Sequence, residues 1–344
     1  MSEPIRVLMV TSHWPTPGQP RTTYFIKRQA EFLQAAGVLV DVFHFRGRRN
    51  PWNYLSAWWR LRRRLARNYY DVVHAQFGHT GLLALPKRLP LVVTYRGSDL
   101  LGEVGRGGRY TRVGHLLQWV SRVVARHADA VIVVSEHMKA QLPPGVPAHV
   151  IPSGLDFDLF RPIPRDEARR HLGFPLDRRL LLFAGSPEWP RKRYALARAA
   201  VDCLGRTLPA ELVVASGAPH DAIPYFMNAC DALVFTSMQE GSPNVVKEAL
   251  ACDLPVVSVP VGDVPIRIAG VAGCELCADE HPETIAAALE RVLRRGGRAG
   301  GGRAAVQELD ERLLTQRVID IYQSVIRPRP VPRAPVAEAP HVLS

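Results

Sequence analysis

The chain alternates between short apolar runs and longer stretches in which apolar residues recur every three or four positions. Uninterrupted short runs are typical of strands buried on both faces, whereas the longer spacing predicts amphipathic helices. In the first half of the chain, residues 25–37 have the helical spacing and end in a glycine. The strand-like runs of this half are 5–12, 38–45, 71–76, 91–97 and 128–135. This alternation predicts a parallel sheet with helices on both faces and right-handed crossovers.

A second series of the same kind follows. Its strand-like runs are 180–186, 211–217, 231–237 and 254–259. The turn-rich stretch 149–173 is predicted to link two domains, and the spacing within 314–326 predicts a closing helix. The predicted fold class is therefore α/β, with two Rossmann-like, doubly wound parallel-sheet domains facing a central cleft. The predicted boundaries are 1–155 for the first domain, 156–313 for the second, 314–326 for the closing helix and 327–344 for a proline-rich tail without fixed structure.

Length and composition agree with a two-domain protein. Of 344 residues, 47% are hydrophobic and 22% charged, which is enough for two separate cores. No apolar run approaches the roughly 20 residues of a membrane span, and a signal-peptide pattern is absent from the N-terminus. The five cysteines form no regular framework; the CxxC of Cys274 and Cys277 lacks a second pair, so two small buried residues are favoured over zinc or redox use. We therefore expect a cytoplasmic protein without a metal.

The net charge of +12 indicates either an anionic partner or a genome that favours arginine codons. The charge is concentrated in residues 52–67, which combine tryptophans with a run of arginines. On a helix, Trp58, Leu61 and Leu65 share one stripe while several arginines face elsewhere. Such a helix suits an anionic membrane surface, and it equally suits an edge helix packed on its own domain. Zinc-finger spacing, aromatic RNA-binding signatures and basic heptads are absent from the sequence, so no nucleic-acid partner is predicted.

Two common nucleotide-binding loops are absent from the sequence. The first strand is followed by HWPTPGQPRTTYF, residues 13–25, and not by the G-x-G-x-x-G fingerprint of dinucleotide-binding domains. The sequence also lacks a G-x-x-x-x-G-K-[ST] loop. These absences argue against a nicotinamide enzyme and a P-loop nucleotidase, and any bound phosphate is expected elsewhere.

The stretch EGSPNVVKEAL, residues 240–250, lies between two strand-like runs and predicts a turn followed by a short helix. Ser242 is predicted as the N-cap and Pro243 as the first helical residue, where its missing N–H has no cost. The backbone amides expected to be free are those of Asn244, Val245 and Val246. Free amides and the helix dipole attract anions, and Glu240 and Glu248 stand on either side of them. The stretch predicts a phosphate-sized site bracketed by two carboxylates, provided that the turn opens onto a cleft.

Other segments accompany this motif in a characteristic order. They are RGSD at 96–99, VIVVSEHMK at 131–139, VIPSGLDFDLFRP at 150–162, FAGSPEWPRKR at 183–193 and GAPHDAIPYFMNACDALVFTS at 217–237. Together with the two glutamates separated by seven residues, this order resembles that of the retaining glycosyltransferases of family 4, which have the GT-B fold. The resemblance covers about residues 5–326. It implies transfer of a sugar from a nucleoside diphosphate to an acceptor hydroxyl, with retention of the anomeric configuration and without a metal.

The resemblance also implies roles for individual residues. Lys192 matches the lysine that binds the diphosphate of the donor. Glu240 would accept hydrogen bonds from hydroxyls of the donor sugar and Glu248 from those of the ribose, since a carboxylate only accepts. The amides of 242–245 would hold the diphosphate, and His220 lies in a loop that the family places near the nucleobase. Lys192, Glu240 and Glu248 would thus hold successive parts of one sugar nucleotide.

Two positions near the expected site depart from the family pattern. The strand that ends at Gly185 is followed by Ser186, where many relatives carry an arginine. Arg191 or Arg193, from the same loop, would supply the missing charge. Arg96 stands where many relatives carry a histidine that contacts the donor sugar near the reacting centre. We expect Arg96 to bind the diphosphate or an acidic acceptor instead.

The first loop is a third departure. It offers Gly18 and then PRTT at 20–23, and a backbone without glycine cannot approach a phosphate as closely. These departures keep a second interpretation open, a catalytically weak nucleotide-sugar-binding or scaffold protein of the same fold. An epimerase or phosphorylase on this architecture shares fold-level features only.

The resemblance leads to expectations about partners as well. The donor is expected to be a UDP- or GDP-sugar with no further cofactor, and the acceptor a glycan or a lipid-linked molecule in surface polysaccharide or glycoconjugate biosynthesis. A lipid-linked acceptor would place the protein at the inner face of the cell membrane, in contact through residues 52–67. His74 and His79 are interpreted as loop or core histidines in preference to acceptor contacts, and Asp99 as a turn residue that caps amides.

Overall fold

The chain folds into two parallel sheets, each flanked by helices, so the predicted α/β class with two Rossmann-like domains is confirmed. The computed structural model describes residues 3–15, 24–47, 50–105 and 108–326. The predicted tail at 327–344 lies outside the described residues. None of the helices in these four described ranges combines the length and the apolar character needed to cross a bilayer.

Among the described residues, the first domain forms six strands. They are β1 (Arg6–Thr11), β2 (Leu39–His44), β3 (Val72–Ala75), β4 (Leu91–Tyr95), β5 (Ala130–Val133) and β6 (Ala148–Val150). Their helices are α1 (Tyr24–Ala35), α2 (Pro51–Arg67), α3 (Gly78–Gly81), α4 (Ser98–Leu101), α5 (Arg112–His127) and α6 (Glu136–Lys139). The strands are parallel in the order β2-β1-β3-β4-β5-β6, with Met9 opposite Val42 and His74. The strand order reverses between β1 and β3, which is where ligands of doubly wound sheets bind.

The second domain has five strands within the described ranges. They are β7 (Leu180–Phe183), β8 (Glu211–Val214), β9 (Ala232–Phe235), β10 (Val256–Ser258) and β11 (Glu275–Leu276). The helices of this half are α7 (Arg165–Leu172), α8 (Tyr194–Leu204), α9 (Ile223–Ala229), α10 (Asn244–Ala251), α11 (Val264–Ile268), α12 (Pro282–Arg295) and α13 (Glu311–Val325). The parallel order is β11-β10-β9-β7-β8, so the reversal lies between β7 and β9. The loops that follow these two strands carry the segments 184–193 and 236–243.

Apolar residues fill both faces of the first sheet and join the two domains. Val93 packs toward the face covered by α2 and α5, where Leu61 and Val124 are fully buried. The other face is covered by α1, and its core continues into the second domain. Helix α13 crosses back to the first domain, where the Tyr322 hydroxyl lies 2.6 Å from His74 Nδ1. The two domains are therefore joined by the last helix as well as by the linker.

Two features differ from the sequence-based expectation. Helix α13 begins at Glu311, before the expected residue 314, because the Asp310 side chain accepts a hydrogen bond from Arg312 N and sets the start there. The predicted linker also contains regular structure, since β6 pairs with β5 and α7 packs on α9. Strand β6 is short and helix α7 is strongly polar, so neither has the apolar periodicity that reveals an element in sequence.

Candidate active site

Helix α10 begins one residue later than the sequence predicts. Its first residue is Asn244, Pro243 occupies the N-cap position, and Ser242 is not the cap. The Ser242 hydroxyl instead donates a hydrogen bond of 2.8 Å to the Asp263 carboxylate. Hydrogen bonds to ionised acceptors are stronger than those between neutral groups. The Ser242 hydroxyl therefore bonds to Asp263 and does not cap the helix.

The start of α10 still presents polar groups without partners. Val246 N donates to the Pro243 carbonyl at 3.2 Å. Within the described residues, the amides of Asn244 and Val245 have no acceptor, and the buried Oδ1 atom of Asn244 has no donor. Free amides at a helix N-terminus carry part of the positive end of the helix dipole. This turn therefore keeps the capacity to bind an anion that the motif predicts.

Two cations face Glu240 at this turn. Lys192 Nζ lies 2.7 Å and Arg191 Nη1 3.1 Å from Glu240 Oε1. The side chains of Lys192 and Glu240 are only 12% and 11% exposed. Burial alone would raise the pKa of Glu240, but the charges of Lys192 and Arg191 outweigh it and hold this pKa below its ordinary value. Glu240 is therefore ionised at neutral pH, and three residues predicted to contact the donor form one cluster.

The loop with these cations is fastened to the end of β9. The Thr236 hydroxyl lies 3.0 Å from the Lys192 carbonyl and 3.2 Å from the Arg193 carbonyl. Arg193 donates to the Thr236 carbonyl at 2.6 Å and forms an ion pair with Glu280. Arg193 is thus a structural residue of the loop. Of the two arginines expected to replace the missing one, Arg191 faces Glu240 and Arg193 does not.

Gly185 and Ser186 support this loop. A Cβ atom at Gly185 would meet the Lys192 side chain at 3.5 to 3.7 Å, an ordinary van der Waals distance. Gly185 therefore offers a flat backbone surface against which the stem of Lys192 lies. Ser186 Oγ accepts a hydrogen bond of 3.3 Å from Glu188 N, so its hydroxyl stabilises the turn. Neither residue contributes charge to the site.

The second glutamate lies at the interface between the domains. Glu248 is 9% exposed; burial raises its pKa, and the charges of Arg28 and Lys247 oppose that rise. Arg28 comes from α1, where it donates to Glu311 Oε2 at 3.1 Å and to the Gly154 carbonyl. The Nη1 atom of Arg28 is buried without a hydrogen-bond partner among the described residues. The charge of Arg28 from the first domain therefore acts on the Glu248 carboxylate of the second domain, while Arg28 itself is ion-paired with Glu311.

Arg96 is held by neutral partners. Its guanidinium donates to Gln29 Oε1 at 2.9 Å, to Gln76 Oε1 at 3.2 Å and to Ser153 Oγ at 2.8 Å. The same group lies 4.9 Å from the centroid of the Phe25 ring. Burial lowers the pKa of Arg96 to about 10, so the side chain stays charged at neutral pH. Within the described residues no carboxylate forms an ion pair with the Arg96 guanidinium, although the nearby charges of Glu311 and Asp99 favour its charged form. The Asp99 carboxylate accepts a hydrogen bond of 3.1 Å from the backbone amide of Arg96.

Loops of the two domains meet across the cleft. The Tyr24 ring stacks on the His220 ring, with centroids 4.1 Å apart. A Cβ atom at Gly241 would lie 2.7 Å from Met138 Sδ and 3.0 Å from the Arg96 carbonyl oxygen, so the close approach requires glycine. His220 thus contacts the first domain, and its role toward a nucleobase stays a prediction. Gly18 lies outside the described residues.

In the first domain, the loops after β1 and β3 correspond to the loops after β7 and β9, and they carry uncharged polar groups. Ser12 Oγ lies 2.9 Å from His13 Nδ1 and 2.8 Å from His79 Nε2. Burial lowers the pKa of His79 to about 4 and also lowers that of His13, so both rings are neutral at pH 7. Phe77 stacks on His79 and Tyr54 meets its edge. We call Ser12, His13 and His79 the neutral rim, a set suited to hydrogen bonds with hydroxyl groups.

Two other polar residues near the cleft serve the fold. His74 is fully buried, with Nδ1 2.6 Å from the Tyr322 hydroxyl, and burial lowers the pKa of His74 to about 3. Asp99 accepts hydrogen bonds from the amides of Gly78 at 3.2 Å and Gly97 at 2.8 Å. The interpretations of His74 as a core histidine and of Asp99 as a turn cap are therefore confirmed.

Sequence reasoning missed the charged residues that line the domain interface. Lys247 is fully buried and donates to the Ser153 carbonyl at 2.8 Å, and burial lowers its pKa to about 7. Arg28 and Glu311 are 3% and 4% exposed. A signal existed for Lys247, because its helix is apolar on nearly every side, and a charge inside such a helix needs a buried partner. No comparable signal connects Arg28 to Glu311, which are far apart in sequence.

Two family descriptions match the chain. Glycosyltransferase Family 4 matches residues 3–159, and Glycosyl transferases group 1 matches residues 177–295. The first range covers the six-stranded domain. The second covers the five strands of the second domain together with Lys192, Glu240 and Glu248. Both halves of the cleft therefore belong to matched regions.

Curated relatives are glycosyltransferases. The D-inositol 3-phosphate glycosyltransferase 1 of Catenulispora acidiphila is 28% identical over 310 residues, 75% of this chain and 73% of that protein. The putative teichuronic acid biosynthesis glycosyltransferase TuaC of Bacillus subtilis is 28% identical over 57% of this chain and 54% of its own length. The chain thus spans between about half and three quarters of the length of these relatives.

Solved structures share the fold over nearly the whole chain. Sucrose-phosphate synthase from Thermosynechococcus elongatus has a TM-score of 0.79 at 18% identity and covers 93% of this chain and 98% of its own. HepE of Anabaena, solved in complex with UDP and glucose, has a TM-score of 0.68 at 17% identity, covering 93% of this chain and 100% of its own. With both domains matched by the family descriptions, the chain belongs to the group 1, family 4 glycosyltransferases and has their GT-B fold.

Proposed function

We propose that this protein transfers a sugar from a UDP- or GDP-sugar to a hydroxyl of a glycan or lipid-linked acceptor, with retention of the anomeric configuration. The observation that carries the proposal is the convergence of Lys192 and Arg191 on Glu240 beside the free amides of α10. A diphosphate leaving group gains negative charge in the transition state, and preorganised cations and amides stabilise that charge. HepE, which has the same fold, was solved with UDP and glucose, and this supports a nucleotide-sugar donor.

The ion pairs within the cluster suggest how the donor would bind. Glu240 now occupies the donors of Lys192 and Arg191. An incoming diphosphate would compete with Glu240 for both cations, since it carries more charge and more acceptor oxygens. The released carboxylate would then accept hydrogen bonds from hydroxyls of the donor sugar. In this proposal the cations exchange one anionic partner for another, and the buried Glu240 carboxylate exchanges its ion pairs for hydrogen bonds.

Glu248, about one turn after the start of α10, would hold the ribose. Its carboxylate makes no hydrogen bond within the described residues, so it is available as an acceptor. Lys192 and Arg191 supply the positive charge near the leaving group, and we therefore propose transfer without a metal. TuaC, a relative named for teichuronic acid biosynthesis, supports a role in surface polysaccharide synthesis.

The donor assignment is tested by titrating purified protein with UDP-, GDP- and ADP-glucose in calorimetry and thermal-shift assays. A ligand present at 100 times its Kd adds about 2.7 kcal/mol to stability, which a thermal shift detects. Glu248→Ala is expected to weaken binding of the preferred nucleotide by roughly 1–3 kcal/mol, through lost hydrogen bonds to ribose. Glu283→Ala, at an exposed glutamate of α12, is the matched control. Unchanged affinity in Glu248→Ala would remove the ribose assignment.

Turnover separates the proposed enzyme from a binding protein of the same fold. One observation favours the binding protein: the Arg96 guanidinium already donates its hydrogen bonds to Gln29, Gln76 and Ser153. An acceptor panel with the preferred donor, analysed by NMR at the anomeric carbon and repeated in EDTA, tests transfer, retention and metal independence together. Tight nucleotide binding without transfer to any acceptor would favour the binding protein.

A further inference from the structure

The first domain carries an apolar and basic surface on the side of α2 and α5. We infer that this surface docks on an anionic membrane. We call it the α2–α5 face, and its exposed apolar residues are Trp52, Leu55, Trp59, Leu82, Leu116 and Trp119. The sequence pattern of residues 52–67 indicates α2 alone, whereas the structure adds α5, a second helix of the same character. The choice of a lipid-linked acceptor rests on the proposed function, but the docking surface itself does not.

The two helices lie on the same face of the first sheet. Leu61 of α2 and Val124 of α5 are fully buried in one apolar cluster with the strands. The segment between α3 and β4 bridges the helices, since Trp58 Nε1 donates to the Leu85 carbonyl at 2.9 Å and α3 packs on α5. Leu82, in this bridging segment, is exposed as well. The outward sides of α2 and α5 therefore belong to one layer.

The exposure of these side chains is unusual for a soluble surface. Trp52, Trp59 and Trp119 are 75%, 56% and 63% exposed. Scattered apolar residues are normal on a protein surface, but an apolar cluster rich in tryptophan marks an interaction site. On each helix the exposed residues also recur with helical spacing, Trp52 with Leu55 and Trp59, and Leu116 with Trp119. Each helix therefore has two apolar stripes, one packed against the sheet and a second one exposed on the opposite side.

The charge of this face selects the partner. Neither α2 nor α5 contains an aspartate or a glutamate. Within the described residues, the outward arginines of these helices form no ion pair with a carboxylate; they are Arg60, Arg63, Arg67, Arg112 and Arg126. On the second domain, exposed Arg178, Arg291 and Arg294 pair with glutamates, whereas exposed Arg170 and Arg206 form no ion pair within the described residues. A second copy of this face would repel it, whereas anionic lipid complements it.

The fold also fixes the direction of the face. Helices of a parallel sheet run back from the carboxyl ends of the strands to their amino ends. Trp52 and Leu55 lie in the first turns of α2, and Leu116 and Trp119 lie in the first half of α5. The apolar half of the face therefore lies near the strand ends that carry the neutral rim. An acceptor anchored in lipid would enter the cleft on that side.

Vesicle flotation tests the inference. The full chain is expected to float with vesicles of phosphatidylcholine and phosphatidylglycerol at 3:1 and to stay behind with pure phosphatidylcholine. Trp52→Ser with Trp59→Ser, and separately Leu116→Ser with Trp119→Ser, should each weaken binding about tenfold or more, since apolar burial in the interface is lost. Arg60→Glu with Arg63→Glu should weaken it by at least about tenfold, because each basic residue contributes about 1 kcal/mol near an anionic surface.

Matched controls come from the second domain. Ile266→Ser with Leu313→Ser replaces residues that are 74% and 57% exposed, and Arg170→Glu with Arg206→Glu makes the same charge change on that half. Both controls should bind vesicles like the parent chain. Circular dichroism and nucleotide calorimetry on every variant separate loss of docking from loss of fold or of donor binding.

Three results would overturn the inference. Parental vesicle binding by the Leu116 and Trp119 variant would exclude α5 from the surface. Equal binding to vesicles with and without phosphatidylglycerol would remove the role of charge. Concentration-dependent dimers in analytical ultracentrifugation, abolished by the same substitutions, would make the face a contact between two copies of the chain. Retained docking without nucleotide binding would instead contradict the proposed function and leave the docking surface intact.

Discussion

The two domains share one architecture but place different chemistry after the two strands at which the order of each sheet reverses, β1 and β3 in the first domain and β7 and β9 in the second. In the second domain, Lys192, Arg191 and Glu240 are charged and paired with each other. In the first domain, His13 and His79 are neutral because burial lowers the pKa of each ring. An ion-paired cluster can exchange partners with a charged ligand, whereas a neutral rim suits hydroxyl groups. The loops after these strands, and not the sheets, therefore set the different chemistry of the two sides of the cleft.

The difference has a structural cause in the loops. The cationic loop of the second domain is tied down by Thr236, which lies 3.0 Å from the Lys192 carbonyl, so Lys192 points at Glu240 before any ligand arrives. Preorganised charge of this kind costs no reorganisation at the moment of reaction. The first domain holds its polar groups by hydrogen bonds among Ser12, His13 and His79 instead. Four predictions test this difference between the two domains.

Lys192→Met should have the largest effect. It removes a buried cation from the position where the leaving group gains charge, so the turnover rate should fall about 10²- to 10³-fold. Nucleotide affinity should fall as well, in steady-state kinetics and calorimetry with the preferred donor. Arg206→Met, at an exposed arginine of the same domain, is the control. A loss of less than tenfold would show that Lys192 does not stabilise the leaving group.

Glu240→Gln should separate binding from transfer. Turnover should fall about 10²-fold, because the charged acceptor for the sugar hydroxyls is lost. The affinity for the bare nucleoside diphosphate should stay equal or increase, since Lys192 and Arg191 lose a competing carboxylate. Calorimetry with UDP and with the intact donor measures both effects, and Glu283→Gln is the control. Weaker binding of bare UDP would contradict the exchange of partners proposed here.

Acid should destabilise the fold through the neutral histidines. The folded pKa of His74 is about 3 and the ordinary value is 6.5, so between these values the unfolded chain binds the proton and the folded chain does not. Stability contributed by the neutral ring is complete above pH 6.5 and declines as the pH falls, by about 2 kcal/mol at pH 5. Urea unfolding at several pH values should give a shallower decline for His74→Gln than for the parent chain. Parallel curves would show that His74 does not carry this dependence.

His79→Phe should have the smallest effect and should act on one side of the cleft. It removes the hydrogen bond to Ser12 while keeping a ring against Phe77. The KM for the acceptor should rise by an amount equivalent to about 0.5–1.5 kcal/mol, the net worth of one hydrogen bond. Nucleotide affinity should not change. An effect on nucleotide affinity with none on the acceptor would reverse the assignment of the neutral rim.

Much of this arrangement could be read from local sequence. The apolar runs located the long strands, and Glu240 and Glu248 were found because they flank a strand, a turn and a helix that are close in sequence. Errors occurred where a distant side chain decided the local structure. Ser242 is not the N-cap because Asp263 takes its hydroxyl, and Arg193 does not reach the cluster because Thr236 and Glu280 hold it. No pattern confined to 183–193 or 240–250 contains these partners.

The two-sheet α/β class, the order of the segments and the charged residues Lys192, Arg191 and Glu240 could all be identified from the sequence alone. These follow from periodicity and from spacing within single elements, which are short-range properties. Only the folded structure shows that Lys192 and Arg191 meet Glu240, that Arg28 pairs with Glu311, and that α2 and α5 share one outward layer. The physical reason is that burial and charge pairing depend on distance in space, and the fold brings together residues that the chain keeps far apart.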